Sequence, residues 1–361
     1  MIGIAHDSKS YNLGGMKVGL SYFLDEKGCI INDYLYLCNT RTRQASQRCS
    51  NVRVVFVYRH MATRIPFTKM YSSSSDLVQL LKARGLEITD EEKAKHYLSH
   101  IGYYRLSAYM YPLLSFPKEQ HLFKQGTSFC KVMMLYRFDK KLRLLLFNEI
   151  EKIEIAVRCA VVNFGTEMIG DPFWMTNPNN FSNPQKFSRS LHLIEEELSH
   201  TKEDFINHFK ETYSNQFPPA WMLTEILPFG IITNIYSNIK NKKIKKRIAQ
   251  SFGLQVAPFE SWLTIIGVTR NSCCHHARIW NRTFSIRATM PIRMSRPWIS
   301  LPTDPLKVYF DMCVIKYFLD VISPNNDMLD KMKDLFSKFP EIDLAALGFP
   351  VGWENESLWQ Y

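Results

Sequence analysis

Residues 131–164, KVMMLYRFDKKLRLLLFNEIEKIEIAVRCAVVNF, decide the fold. Leu135, Phe138, Leu142, Leu145, Leu146, Ile150, Ile153, Val157, Ala160 and Val161 recur every three to four positions, which is the period of one helix face. The pattern predicts a long helix from about Lys131 to Phe164. On its N-terminal side, Leu77, Leu80, Leu81 and Leu86 predict a short amphipathic helix from Asp76, closed by Gly85. Thr89, followed by Asp90, Glu91 and Glu92, predicts a second start, with Thr89 as the cap and Glu92 at the capping-box position; this helix ends near Gly102. The next stretch, to Leu114, is aromatic-rich and closed by Pro112 and Pro117.

On the C-terminal side, residues 170–184 hold three prolines and four asparagines and read as a loop. Helices are then expected at about 185–213, 219–239, 241–252 and 258–275. An extended excursion follows from Thr283 to Pro302, then helices at 304–322 and 325–338. The fold class is therefore mainly α, a helical bundle with a smaller N-terminal helical unit. The expected division is 61–128 for that unit, 129–322 for the bundle and 323–361 for a last helix and tail.

Residues 1–60 have a different texture. Short β-leaning runs, Tyr34 to Cys38 and Val52 to Tyr58, flank the polar stretch NTRTRQASQRCSN, and no helical period is sustained. Either a small β unit stands here, or Met61 is the true start and the preceding residues are an over-extended gene reading; the second is preferred.

The whole chain has 361 residues, with 46% hydrophobic and 22% charged residues, which excludes wholesale disorder. Its formal charge is +11, from 45 Lys and Arg against 34 Asp and Glu, and leans toward a polyanionic partner. Residues 1–60 contribute eight Lys and Arg against four Asp and Glu, so a chain starting at Met61 keeps +7. No apolar run is long enough to span a membrane and no export signal opens the chain. The eight cysteines then read as reduced thiols and the expected location is the cytoplasm. The cluster Cys273, Cys274, His275, His276 resembles zinc ligands by type, but adjacent side chains diverge, so no metal is expected there.

The chemistry concentrates in residues 262–282, WLTIIGVTRNSCCHHARIWNR. Trp262, Ile265, Ile266 and Thr269 begin a buried helix, which then turns polar with Arg270, Asn271, His275, His276, Arg278, Asn281 and Arg282. Asn271 and His275 share a face. Arg270 and His275 stand about 140° apart on an ideal helix, so they converge only if the helix loosens or a second copy faces the first.

Arg270, Asn271 and His275 fit the Arg-Asn-x-x-x-His signature of HEPN domains, and RNSCCHHARIWNR resembles the corresponding motif of the Abi-like family, the AbiD and AbiF group of abortive-infection proteins. PFTK at 66–69, KAKHYLSHIGYYRLSAYMYPL at 93–113 and IEKIEIAVR at 150–158 resemble that family in order and spacing. The resemblance spans about residues 64–320 and stops short of 1–60, which supports the Met61 start. It implies a HEPN-type helical bundle, a homodimer and a metal-independent ribonuclease centre in phage defence, with no cofactor. RNA rather than DNA is implied, because the ribose 2′-hydroxyl is the nucleophile. An imidazole, with an ordinary pKa of about 6.5, can take its proton or protonate the leaving oxygen. Arg270 would hold the phosphate and Asn271 would orient His275 or the phosphate. A second copy would supply a second histidine, so that one acts as base and the other as acid.

Supporting candidates are His276, Glu151, Glu154 and Arg158; the last two form an i,i+4 pair that could equally be an ordinary surface ion pair. Lys240, Lys242, Lys243, Lys245, Lys246 and Arg247 form the densest basic run, either a solvated face or an RNA-backbone contact. Tyr97, Tyr103, Tyr104, Tyr109 and Tyr111, interleaved with His96 and Arg105, could stack bases but read first as core. The alternative function is a non-catalytic protein that holds a structured non-coding RNA. A toxin modified on a Tyr just past the motif is disfavoured, because Ala277 stands where that Tyr would be.

Overall fold

The computed structural model describes three strands, β1 (Lys9–Leu13), β2 (Met16–Leu24) and β3 (Ile30–Asn39), together with residues 66 and 68–360. The chain divides into two units, Met1–Tyr71 and Ser72–Tyr361. In the first, the strands form an antiparallel sheet in the order β1-β2-β3, with Val18 opposite Tyr11 on one side and Leu37 on the other. Tyr34 to Cys38 lies within β3; Val52 to Tyr58 and Met61 fall outside the described residues.

The second unit is helical. α1 (Ser74–Ala83) opens with a capping box in which Ser73 and Asp76 satisfy each other's backbone N–H. α2 (Glu91–Ile101) is capped by Asp90, whose carboxylate accepts from the Lys93 N–H. The sequence pointed to Thr89, one residue early; both are good caps, and the carboxylate also complements the helix dipole. After Gly102 comes α3 (Tyr103–Met110). Its tyrosines do not all join the core. Tyr109 is buried, but Tyr104 is 92% exposed, and Tyr111, in the 3-10 turn just past the helix, is also exposed.

The decisive run forms α4 (Phe129–Ile169), a single 41-residue helix about 60 Å long. Ser128 caps its start and Gly170, in the left-handed region, closes it. Its stripe, with Leu135, Phe138, Leu142, Leu146, Ile150, Ile153, Val157 and Val161 fully or nearly fully buried, is the axis of the core. At Gly165 a Cβ would come within 2.4 Å of the buried Trp174 ring, so only glycine allows that approach.

Two expected helices are each broken. Residues 185–213 form α5 (Pro184–His200) and α6 (Asp204–Thr212), because Thr201 turns extended and its hydroxyl accepts from the Glu203 N–H. Residues 219–239 form α7 (Ala220–Ile226) and α8 (Phe229–Asn238), split where Pro228 removes a helical donor and holds Leu227 extended. α9 (Lys242–Ser251) and α10 (Val256–Cys274) follow, then a segment without helix to 307, then α11 (Val308–Ile322) and α12 (Met328–Lys338). α4 packs against α3 and against each helix from α7 to α12. α11 is buried all round from Val308 to Leu319, as an apolar helix at the centre of a bundle must be. The tail is ordered: Phe349, Trp353 and Trp359 pack on Tyr309, and Glu356 accepts from the Ser300 and Leu301 N–H groups at 2.6 Å. Among the described residues no helix is long and apolar enough to cross a membrane.

Candidate functional site

The end of α10 is built as a hydrogen-bonded reversal. Its last helical residue is Cys274 and His275 is the cap, with φ −84° and ψ 12°. His276 then takes φ 55°. The His276 N–H donates to the Cys273 carbonyl at 3.2 Å, and the Ala277 N–H to the Ser272 carbonyl at 2.9 Å. This is the Schellman arrangement, with histidine where glycine is usual. A left-handed non-glycine residue is held only when its surroundings determine it.

Those surroundings are a polar clasp that sequence reasoning missed. Asp139 on α4 is fully buried, and its Oδ1 accepts from the backbone N–H groups of Ile279 at 3.1 Å and Trp280 at 2.7 Å. Its Oδ2 accepts from Tyr109 Oη at 2.6 Å and forms an ion pair with buried Arg143. Arg143 donates on to the Ala277 carbonyl at 3.4 Å, and Arg105 on α3 donates to the His276 carbonyl at 2.7 Å. Burial pushes the Asp139 carboxyl upward; Arg143, Tyr109 and the two backbone donors pull against it. A signal existed: Asp139 lies four residues after Leu135 and three before Leu142, a carboxylate inside an apolar stripe.

The motif residues are disposed as follows. Arg270 is partly buried. Its Nε lies 3.5 Å from Glu154 Oε2, is shut off from solvent and makes no hydrogen bond. Its Nη1 lies 3.5 Å from Asn271 Oδ1. Asn271, His275 and His276 are exposed, and no hydrogen bond joins Arg270 to either histidine among the described residues. α10 stays helical from Arg270 through Cys274 and departs from helical geometry only at its cap, His275. Below the motif, Thr269 donates to buried Asp311 on α11 at 2.7 Å, and Arg282 donates to Ser272 at 3.3 Å. Burial raises the Asp311 carboxyl to about 7, against the pull of Thr269 and Arg282. Arg278, just past the turn, is half-buried with no ion pair among the described residues, and burial lowers its guanidinium from its ordinary value.

Of the supporting candidates, Glu154 lies against Arg270 and Arg158 against Glu154. Glu154 pairs with both Arg158 and Arg270, linking α4 to α10, while Arg158 donates to the Thr224 and Leu227 carbonyls at the end of α7. Glu151 is exposed and joins no ion pair among the described residues. The basic run sits on α9, with Lys240 just before it, at the other end of α10. Lys240, Lys242, Lys243, Lys246 and Arg247 are exposed, with Arg247 over the Phe164 ring at 5.3 Å. Lys245 is occupied: it pairs with Glu260 at 2.5 Å and donates to the Ser237 carbonyl at 2.8 Å. Cys273 is buried, with its thiol pushed up to about 12 by burial. No three Cys, His, Asp or Glu side chains among the described residues are arranged for a metal ion.

A family model described as "Abi-like protein" matches residues 96–281, about half of the chain. The match contains Arg270, Asn271 and His275, the clasp residues Arg105, Tyr109, Asp139 and Arg143, and the pair Glu154 and Arg158; it leaves out PFTK at 66–69. Comparison with curated proteins and with solved structures finds no match.

Proposed function

Because the chain belongs to the Abi-like protein family, we propose that it acts in abortive-infection phage defence as a metal-independent HEPN-type endoribonuclease whose centre is Arg270, Asn271 and His275. One observation carries the reading. Arg270 and His275 bracket the last turn of α10, the guanidinium tethered by Glu154 and the imidazole exposed at the helix cap, on a reversal fixed by a buried clasp. A charged donor and a free proton carrier on a rigid support are what cleavage through the 2′-hydroxyl requires.

In this mechanism Arg270 stabilises the charge that builds on the phosphate, and Asn271 orients the phosphate or His275. His275 takes the 2′-hydroxyl proton or protonates the leaving 5′-oxygen, leaving a 2′,3′-cyclic phosphate and a 5′-hydroxyl. One chain offers one His275, so a homodimer that brings two motifs together supplies both the base and the acid. His276, with its backbone committed to the turn, is the second choice for the proton transfer. The exposed cations of α9 support a backbone contact with RNA and would serve the alternative reading, a protein that holds RNA without cutting it.

The test is incubation of the purified protein with total RNA, with and without EDTA, followed by mapping of the ends. Cleavage with 5′-hydroxyl ends that survives EDTA is expected, falling about 10²–10⁴-fold in His275→Ala. Arg270→Ala should lose cleavage as well, with the thermal melt unchanged. Cutting by the double variant would refute the assignment; copurifying RNA that stays intact would favour holding over cutting.

A further inference from the structure

At the far end of α10, away from the Arg270–His275 centre, lies a cleft lined by two of the α9 cations, Lys242 and Lys246. Val256 to Cys274 spans about 28 Å, so the cleft and His275 stand at opposite ends of one helix. Its volume is about 720 Å³, and it is bounded by α9, by the turn from Gly253 to Val256 and by residues 293–295. That volume is within the range of small-molecule sites and far beyond what a lone inorganic ion needs.

Three cations line it, Lys242, Lys246 and Arg293, and no carboxylate does. None of the three side chains makes an ion pair or hydrogen bond among the described residues. The acid on the first turns of α10, Glu260, is taken by Lys245. Helix spacing divides the basic run in two: Lys242 and Lys246, four apart, turn to the cleft, while Lys243 and Arg247 share another face. Three unpaired like charges around one concavity repel one another until an anion enters. The start of α10 adds to the positive field: no side chain caps it.

The rest of the lining is apolar or amide: Leu254, Val256 and Met294, with Gln250 and Gln255. One wall is fixed. Gly253, at φ 69°, offers its carbonyl to Ser295 Oγ at 2.6 Å and to Tyr317 Oη at 3.0 Å, and a Cβ at Gly253 would lie 2.4 Å from Ser295 Oγ. A cationic edge beside an apolar wall with amide groups matches a ligand that carries phosphate at one end and a flat heterocycle at the other.

We propose that this cleft binds a nucleotide, its phosphates held by Lys242, Lys246 and Arg293 and its base laid against Leu254, Val256 and Met294. The nucleotide is either free or one unit of an RNA strand; the chemistry of recognition is the same. The site does not depend on the Arg270–His275 centre.

The test titrates the full chain with two probes, N-methylanthraniloyl-ATP and a dye-labelled 5′-phosphorylated oligoribonucleotide, read by fluorescence anisotropy. Saturable binding of the first assigns the site to a free nucleotide; binding of the second alone assigns it to a strand. In either case Lys242→Glu/Lys246→Glu should weaken the bound probe at least 10-fold, and Arg293→Glu alone should weaken it as well. Lys186→Glu/Lys202→Glu, an equal charge change on exposed residues elsewhere, should leave it within twofold. Arg270→Ala/His275→Ala should bind like the parent, so that loss of the ribonuclease reading would leave this one standing. Failure of both probes to bind, or equal weakening by the Lys186/Lys202 pair, would overturn the proposal.

Discussion

Replacing Asp139 by alanine should be among the most damaging single changes in the chain. The carboxylate is fully buried and holds four partners: the Tyr109 hydroxyl, the Ile279 and Trp280 N–H groups, and Arg143. Its removal strands a buried guanidinium, which costs about 3–5 kcal/mol. The two backbone donors, if left unpaired, cost about 1–3 kcal/mol each before relaxation and water entry recover a part. A net loss of at least about 4 kcal/mol follows, or a fall in Tm of about 8–15 °C for a unit of this size. Arg143→Ala should cost less, about 2–3 kcal/mol, because Asp139 keeps its three other donors. The double variant should cost less than the two single losses together, by about 1–3 kcal/mol, since neither charge is then stranded. Urea unfolding followed by circular dichroism measures all three. A loss under about 1 kcal/mol in Asp139→Ala, or additivity within about 0.5 kcal/mol, would refute the view that this pair clamps the reversal after α10.

Asp311 makes stability depend on pH. Its folded pKa of about 7 lies above the ordinary 3.8, so between those values the folded state binds the extra proton. Stability therefore falls as pH rises from about 4 to 7, by up to about 4 kcal/mol, and Asp311→Asn should flatten this slope in melts taken at pH 5 and 8. Gly165→Ala should cost about 1–3 kcal/mol in urea midpoint, because the new methyl meets the Trp174 ring. Glu154→Gln should lower RNA cleavage at least 10-fold by releasing Arg270, with a Tm shift under about 4 °C because Arg158 keeps its two carbonyl bonds. Unchanged cleavage in that variant would show that Glu154 does not position Arg270.

Much was legible in the sequence because it is local. The stripe from Leu135 to Val161 specified α4, and the change from apolar to polar at Arg270 marked the end of a buried helix. Two breaks were misread: Thr201 competes with the helix through its own hydroxyl, and Pro228 was passed over although its missing donor is visible in the letters. Spacing also placed Glu154 one turn from Arg158, but not 3.5 Å from Arg270, since nothing local relates positions more than a hundred residues apart. Likewise Lys245 and Lys246 are alike in sequence, and only the packing of α9 against α10 gives the first to Glu260 and turns the second to an open cleft. The sequence by itself determined the helical class, the long axial helix and the family. The tertiary structure alone decided that α3 and α4 clasp the turn after His275, because a buried carboxylate takes whichever backbone donors the fold brings to it.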